Sequence, residues 1–268
     1  MTLVMGIVNV THDSFSDGGR YLDAGAAIAH GRALRAAGAD LLDVGGESTR
    51  PGAERVDPGL ERERVLPVVA ALAADGAIVS IDTMNASTAV AAVEAGARLV
   101  NDVSGGLADP EMLAAVAASG ADVVLQHWRG PSDDMYARAE YGDVVAELVV
   151  ELEDRVRAAA RAGISPDRVI LDPGIGFGKR GDQNWQALRG LERVVAIGPR
   201  VLVGTSRKKF LGELLAAGGA DDEARRDLAT AVTSVLAARA GAWAVRVHDA
   251  AATRDALAVA RAWERGGA

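Results

Sequence analysis

Short apolar runs alternate with longer segments of helical spacing along the whole chain. Eight of these runs are rich in Val, Ile and Leu, and their length is typical of buried strands. About 34 residues separate the starts of successive runs, which is the size of a βα repeat in an eight-stranded barrel. The predicted strands are Val4–Val10, Leu41–Gly45, Ile78–Asp82, Leu99–Val103, Val123–His127, Val169–Asp172, Val201–Gly204 and Ala244–His248.

The segments between the strands repeat apolar residues at helical intervals. In two of them an aspartate precedes a proline, Asp57-Pro58 and Asp109-Pro110, an order that predicts a helix cap followed by the first helical residue. The predicted helices are Leu22–Ala37, Pro58–Ala73, Ala86–Ala95, Pro110–Ala118, Val144–Ala162, Trp185–Val195, Lys209–Leu215, Asp222–Ala240 and Ala250–Arg265.

This alternation predicts an α/β fold, a TIM (β/α)8 barrel that forms a single domain over residues 1–268. A doubly wound open sheet is the alternative. It is disfavoured because no GxGxxG motif follows the first strand, and because polar residues follow nearly every strand instead of clustering at one switch point.

Composition narrows the range of functions. A chain of 268 residues with 49% hydrophobic content can bury a large core, and the absence of cysteine excludes disulfides, thiolate metal sites and a cysteine nucleophile. A net charge of −8 argues against a nucleic-acid partner. No leader peptide or membrane-length apolar run is visible, so we expect a cytoplasmic protein that does not insert into a membrane.

One predicted helix is unusually apolar. The run Leu228–Ala238 is smooth and apolar on most faces. Such a helix is either fully buried or shared with another subunit, and a homodimer is therefore expected.

The stretch Val169–Lys179 joins a buried strand to a glycine-rich turn and places an acid between them. Asp172 ends the apolar strand, and Pro173 stops the hydrogen-bond ladder directly after it. A carboxylate in such a position needs donors to replace its water. They are either backbone amides of its own loop or paired N–H groups of a ligand.

Polar residues that follow the other strands converge with Asp172 on one rim of a parallel barrel. They form two chemical groups. The first suits a heterocycle with donors and acceptors along one edge, and it comprises Asp82, Asn101, Asp172 and the nearby Lys208. The second suits a phosphate or pyrophosphate, and it comprises Asn9, Arg50, Arg246 and His248. Together they predict a substrate in which a heterocycle is joined to a leaving anion.

Seven motifs in one order resemble the dihydropteroate synthase family. They are Asn9-Val-Thr-x-Asp-Ser-Phe-Ser-Asp-Gly-Gly19, Gly45-Gly-Glu-Ser-Thr-Arg-Pro-Gly-Ala53, Ser80-Ile-Asp-Thr83, Asn101-Asp-Val-Ser-Gly105, Asp172-Pro-Gly-x-Gly-Phe177, Ser206-Arg-Lys208 and Arg246-Val-His248. The resemblance implies a TIM-barrel transferase of alkyl or aryl groups. Such an enzyme joins 6-hydroxymethyl-7,8-dihydropterin diphosphate to 4-aminobenzoate in folate biosynthesis, releases pyrophosphate, and is a target of sulfonamides.

The resemblance also implies roles for single residues. The implied pterin contacts are Asp82, Asn101, Asp172 and Lys208. Asn9 would be linked to Mg²⁺, and Arg246 with His248 would hold the diphosphate. Thr49 and Arg50 would bind substrate from a second loop, and Pro51 and Phe177 would flank the aminobenzoate ring. The expected catalytic residues are Asp82, Lys208, Arg246 and His248.

The chain departs from the family pattern at three positions. Gln126 stands where a methionine is more common, so an apolar pocket wall is exchanged for a group that needs hydrogen-bond partners. His12 replaces a common proline in the first loop. Lys209 replaces a common serine near the aminobenzoate carboxylate, which a lysine can still attract.

Three other functions fit parts of the pattern. A methyltetrahydrofolate-binding barrel of corrinoid methyltransferases would use similar Asn and Asp residues but needs no diphosphate site. A synthase-like paralogue that binds a pterin without turnover would tolerate Gln126. Lys208 could also be a Schiff-base lysine of an aldolase-like barrel. We interpret His127, which stands beside Trp128, as a packing residue.

Overall fold

The computed structural model describes residues 1–10, 20–47, 55–131, 136–216 and 222–266. Its strands form one closed parallel barrel in sequence order, β1 to β8, which confirms the predicted TIM barrel. Each observed strand overlaps a predicted one and differs from it by at most one residue at either end. The strands are β1 (Leu3–Asn9), β2 (Leu41–Gly45), β3 (Ile78–Asp82), β4 (Leu99–Asp102), β5 (Asp122–Gln126), β6 (Val169–Asp172), β7 (Arg200–Val203) and β8 (Ala244–Val247).

Helices cover the outside of the barrel, as the alternating pattern predicts. They are α1 (Arg20–Ala36), α2 (Pro58–Ala74), α3 (Ala86–Glu94), α4 (Met112–Ser119), α5 (Val144–Arg161), α6 (Asp182–Arg189), α7 (Leu191–Val195), α8 (Lys209–Ala216), α9 (Glu223–Arg239) and α10 (Ala250–Glu264). None of these helices has the length and apolarity needed to cross a bilayer.

Most predicted helices differ from the observed ones by one or two residues at an end, and two helices show informative differences. The helix expected over Trp185–Val195 is divided at Gly190, where a Cβ would lie 2.4 Å from Val145 Cγ1, because α5 packs directly on this backbone. The helix expected to start at Pro110 starts at Met112. Asp109 keeps a capping contact in the turn before α4, because its Oδ1 accepts a 3.0 Å hydrogen bond from Glu111 N, while its Oδ2 accepts a 2.8 Å hydrogen bond from Ala86 N at the start of α3.

The barrel interior is apolar in its lower half and polar directly above. Met5, Leu41, Leu99, Val124, Ile170, Leu202 and Ala244 fill the lower half as one cluster. Side chains two positions apart on a strand point to the same face. On β1 the next inward residue is the apolar Ile7, and on β3 the inward residues are Ser80 and Asp82. The next inward residues on the other strands are Asp43, Asn101, Gln126, Asp172, Gly204 and Arg246. This polar layer forms the floor of an open cup.

Helix α9 is buried on one face only. Thr230, Ala231 and Ala237 are buried against the rest of the chain, while Leu228 and Val232 are more than half exposed. Of the two alternatives for the run Leu228–Ala238, full burial within one chain is therefore excluded. An apolar stripe of Leu228, Val232 and Leu236 faces outward instead.

Candidate active site

Arg246 lies between two buried carboxylates on the floor of the cup. Its Nε donates to Asp43 Oδ2 at 2.5 Å, and its Nη2 donates to Asp82 Oδ2 at 2.7 Å. Asn101 Nδ2 donates to the same Asp43 oxygen at 2.9 Å. Strand register brings these groups together, because Asp82 pairs with Asn101 and β8 closes the barrel onto β1. The guanidinium remains 21% exposed toward the open end of the cup.

Asp172 and Lys208 form the opposite wall. Asp172 Oδ1 accepts a 2.7 Å hydrogen bond from Gly174 N in the turn that follows β6. Lys208 Nζ donates to the carbonyl of Ile175 in the same turn and lies 4.8 Å from the centre of the Phe177 ring. The turn requires glycine at position 174, where φ is 62° and a Cβ would lie 2.3 Å from the His127 carbonyl oxygen.

Burial shifts the pKa values of Asp172, Asp82 and Lys208. It raises the pKa of Asp172, although the Lys208 ammonium and the amide of Gly174 act against the shift. It also raises the pKa of Asp82, against the pull of Arg246. Burial lowers the pKa of Lys208 to about 8, while Asp172 and then Asp82 favour its charged form. Opposite charges therefore stabilise one another across the cup.

His248 and Ser206 form a pair beside this floor. Ser206 Oγ lies 2.8 Å from His248 Nδ1, and His248 N donates to the same hydroxyl at 3.1 Å. Asn9 is exposed at the end of β1, where it pairs with Gly45 of β2 in the strand register. Gln126 is buried and donates to the Val103 carbonyl at 3.2 Å, which satisfies the amide that replaces the more common methionine.

Two inward positions at the height of Asp82 have no side chain. Gly45 pairs with Asp82 in the register, and a Cβ on it would lie 3.4 Å from Asp82 Cβ. Gly204 follows β7, and a Cβ there would lie 3.7 Å from both Arg246 Cβ and Lys208 Nζ. The cup is therefore widened on two sides.

Some predicted site residues fall outside the described part of the chain. They are Thr49, Arg50 and Pro51, together with loop residues 11–19. Lys209 is described and lies on the surface, 3.5 Å from Glu213 in α8. The structure brings together Asp82, Asn101, Asp172, Lys208 and Arg246.

Sequence reasoning missed several residues of this region. Asp43 lies in the middle of β2, not at its end, and its only signal was a charge within an apolar strand. Ser206 was seen only as part of a motif. Lys179 was seen only as the end of the glycine turn, yet its side chain is 1% exposed.

Asn9 is the predicted magnesium residue, and its surroundings fit a weakly coordinated ion. Among the described residues, no group of three or more His, Asp or Glu is arranged to hold a metal. Mg²⁺ commonly binds through one or two protein oxygens together with substrate phosphates, so it needs no such group. The exposed amide of Asn9 at the rim can supply one oxygen of this kind.

A closed βα barrel whose C-terminal rim gathers two acids, an amide, a lysine and an arginine defines an enzyme that binds a polar heterocycle. Comparison with protein-family models gives the same class, since the model described as "Pterin binding enzyme" matches residues 5–248. The chain belongs to this family of pterin-binding enzymes.

Individual relatives define the chain more narrowly. The dihydropteroate synthase of Mycobacterium leprae is 54% identical and covers 98% of this chain and 94% of its own length. The Xanthomonas albilineans enzyme solved with 4-aminobenzoic acid is 46% identical, with a TM-score of 0.90 and coverage of 98% and 93%. Its complex with 7,8-dihydropteroate aligns at 44% identity, a TM-score of 0.86 and coverage of 98% and 94%. Within the family, the chain therefore belongs with the dihydropteroate synthases.

Proposed function

We propose that the cup holds the pterin ring of 6-hydroxymethyl-7,8-dihydropterin diphosphate. The floor offers the carboxylate of Asp82, the amide of Asn101 and, across the cup, the carboxylate of Asp172. Such groups match the edge of a 2-amino-4-oxo pyrimidine, because two carboxylates accept from its N–H groups and Lys208 donates to its carbonyl. The observation that supports this assignment is the charge arrangement, in which acids and lysine face one another above the apolar lower half of the barrel.

The leaving group would lie above the cationic side of the cup. Arg246 is oriented by Asp43 and Asp82 and stays partly exposed, and His248 is oriented by Ser206. Both can stabilise negative charge that develops on the departing pyrophosphate. Asn9, on the first strand, would help to hold Mg²⁺. When bound, this ion would supply further charge neutralisation to the diphosphate.

The amine of 4-aminobenzoate would then attack the pterin methylene carbon. The C–O bond to pyrophosphate breaks, a C–N bond forms, and the amine loses one proton to solvent. An arylamine is unprotonated at neutral pH, so the reaction needs no strong base from the protein. Phe177 lies beside Lys208 and would flank the ring of the nucleophile. Thr49, Arg50 and Pro51 are proposed as further substrate-binding residues on the basis of their sequence motif.

The decisive experiment measures pyrophosphate release by the purified protein with dihydropterin diphosphate, 4-aminobenzoate and Mg²⁺. We expect release that depends on the amine and yields 7,8-dihydropteroate. Pterin binding without amine-dependent release would instead favour the non-catalytic paralogue. Preferred binding of methyltetrahydrofolate would favour the corrinoid methyltransferase barrel.

We also propose that the chain forms a homodimer through α9 and α10. Leu228, Val232 and Leu236 form an exposed stripe on α9, and Val259 with Trp263 is exposed on α10. Arg239 and Glu264 pair at 2.9 Å near the ends of both helices and bring the two apolar faces together. Apolar patches of this kind mark interfaces. Light scattering should give twice the chain mass of 27.6 kDa, and Val232→Asp should give a monomer.

A further inference from the structure

Lys179 is the largest side chain in the fully buried part of the described core. It lies in a chain that otherwise uses arginine: of 29 basic residues, only Lys179, Lys208 and Lys209 are lysines. An ammonium is compact and can place three N–H groups in a small space, whereas a guanidinium is a planar fork. A buried lysine in such a chain therefore suggests a need for this compact group.

The three N–H groups of the Lys179 ammonium each have a partner. The Nζ atom lies 3.1 Å from the Gly174 carbonyl oxygen, 3.2 Å from the Phe177 carbonyl oxygen and 3.0 Å from His127 Nδ1. The two carbonyls belong to the turn that follows β6. Lys179 thus ties both ends of the segment 174–177 to one point.

His127 is the third partner of the Lys179 ammonium. Burial lowers the pKa of His127 to about 4, with the Lys179 charge as the next cause, so the imidazole is neutral at physiological pH. A neutral ring that accepts at Nδ1 has its proton on Nε2. That nitrogen lies 2.9 Å from Glu151 Oε2 on α5, outside ideal hydrogen-bond geometry. The interpretation of His127 as a packing residue omitted this polar network.

The opposite face of the same turn touches the candidate active site. Lys208 donates to the carbonyl of Ile175, and a Cβ on Gly176 would lie 2.9 Å from Lys208 Cδ. The Phe177 ring lies 4.8 Å from Lys208 Nζ. The turn is therefore held between two lysines, and movement of the turn would displace both Lys208 and Phe177.

We propose that Lys179, supported by His127 and Glu151, is a positioning residue that fixes the turn 174–177 so that Lys208 and Phe177 face the substrates. The proposal rests on the roles assigned to Lys208 and Phe177 above. Among the described residues, Lys179 Nζ bonds to His127, Gly174 and Phe177, so it acts on the cup through the backbone that it holds.

Charges around Lys179 are consistent with this role. Burial lowers the pKa of Lys179 to about 7, Asp172 on β6 favours the charged form, and Lys208 and Arg129 oppose it. Glu151 on α5 favours the charge as well. Even the neutral amine keeps two N–H groups, enough for both carbonyls, so the turn can stay fixed above pH 7.

The first test replaces Lys179 by Met. The variant loses a buried charge that is costly to desolvate, but it leaves two carbonyls and an imidazole nitrogen without a donor, so its melting temperature should fall modestly while it remains folded. Its kcat/KM for 4-aminobenzoate should fall on the order of 10- to 100-fold, since small displacements of reacting groups have effects of this size. Arg180→Met changes the exposed neighbour, which bonds the Tyr136 carbonyl, and should stay within about twofold.

The second test restores the amine, which the absence of cysteine makes possible. Lys179→Cys is unfolded, alkylated with 2-bromoethylamine and refolded, which gives a side chain that ends in an amine at nearly the length of lysine. A second sample is alkylated with 1-iodopropane, which gives a side chain of the same length that ends in a methyl group and has no N–H donor. Wild type passes through both procedures as a control. The aminoethyl form should regain most of the lost kcat/KM, and the propyl form should not.

Several outcomes would overturn the proposal. Wild-type kcat and KM in Lys179→Met would do so, and so would a fall in melting temperature while the folded fraction keeps normal kinetics. If the Met variant does not fold, equal kinetics of the two alkylated forms would have the same meaning. Absence of dihydropteroate formation by wild type would instead defeat the function proposed above.

Discussion

At the scale of single residues, Arg246 has the largest structural role in the cup. It neutralises Asp43, which is fully buried, and Asp82, which is 7% exposed. Removing one partner of a buried ion pair is costly because the remaining charges keep no compensation. The same side chain therefore links stability to the chemistry proposed for the leaving group.

Arg246→Met should destabilise the protein by about 3–5 kcal/mol at pH 8, the range for a broken buried pair. The loss should shrink at pH 5, where protonation can neutralise the Asp82 carboxylate, whose pKa burial already raises. Urea unfolding at the two pH values measures this. Adding Asp43→Asn should restore part of the stability, and a pH-independent loss would contradict the explanation.

Asp172→Asn should separate binding from stability. The amide oxygen can still accept from Gly174 N, and the charge that burial disfavours is gone, so the melting temperature at pH 8 should be equal or higher. Pterin affinity should fall about 10- to 100-fold, as expected for loss of a hydrogen bond to a charged group. Calorimetry measures the affinity.

Asp102→Asn is the matched control for Asp172→Asn. Asp102 is also buried at the end of a strand, but its carboxylate accepts from Ser104 N and Gly106 N in its own loop. This variant should lose stability and keep the pterin affinity of its folded fraction. The reverse result would mean that the two acids have been assigned to the wrong roles.

The rule that polar residues after barrel strands share a rim was enough to predict Asp82, Asn101, Asp172 and Lys208. It could not predict Asp43, because this acid lies in mid-strand and becomes part of the floor only through the closed barrel. It also could not predict the partners of Arg246. Strand order gives the neighbours of a residue, but the direction of a long side chain depends on every charge around it.

At the scale of elements, Gly190 determines how α6, α7 and α5 meet. Its φ is −88°, an ordinary value for any residue, so only space demands glycine there. The apolar period across Trp185–Val195 gave no sign of the division, since both pieces keep their buried face. A contact between a backbone and a distant Val145 is not visible in local spacing.

Gly190→Ala should therefore destabilise the protein by about 1–3 kcal/mol through overpacking against Val145. Val145→Ala should rescue the variant by making room. Gly163→Ala is the control: it has open space but a φ of 90°, so its cost is conformational and Val145→Ala should not relieve it. Equal rescue of both variants would refute the steric explanation.

At the scale of the whole molecule, the buried ionisable groups of the cup lower the stability of the fold. Acids whose pKa is raised hold more protons folded than unfolded, so their contribution to stability falls as pH rises through that window. Lysines whose pKa is lowered hold fewer protons folded, so stability rises with pH between the folded and unfolded values. For Lys208 this window runs from about 8 to 10.5.

The difference in unfolding free energy between wild type and Lys208→Met should thus increase from pH 8 to 10.5 in favour of wild type. At lower pH, the unfolding free energy of wild type should fall relative to that of Asp172→Asn as pH rises and Asp172 ionises. Urea unfolding, measured both between pH 8 and 10.5 and at lower pH, gives both differences. Parallel curves for wild type and variants would show that neither group is perturbed by burial.

The two rim glycines, Gly45 and Gly204, affect which ligands can enter the cup. A methyl group at Gly45 or Gly204 would make ordinary contacts with its neighbours, so alanine should leave the architecture intact. Each added methyl group would nevertheless narrow the opening of the cup. Alanine at either position should therefore act as a size filter that excludes bulky bicyclic inhibitors before small ones.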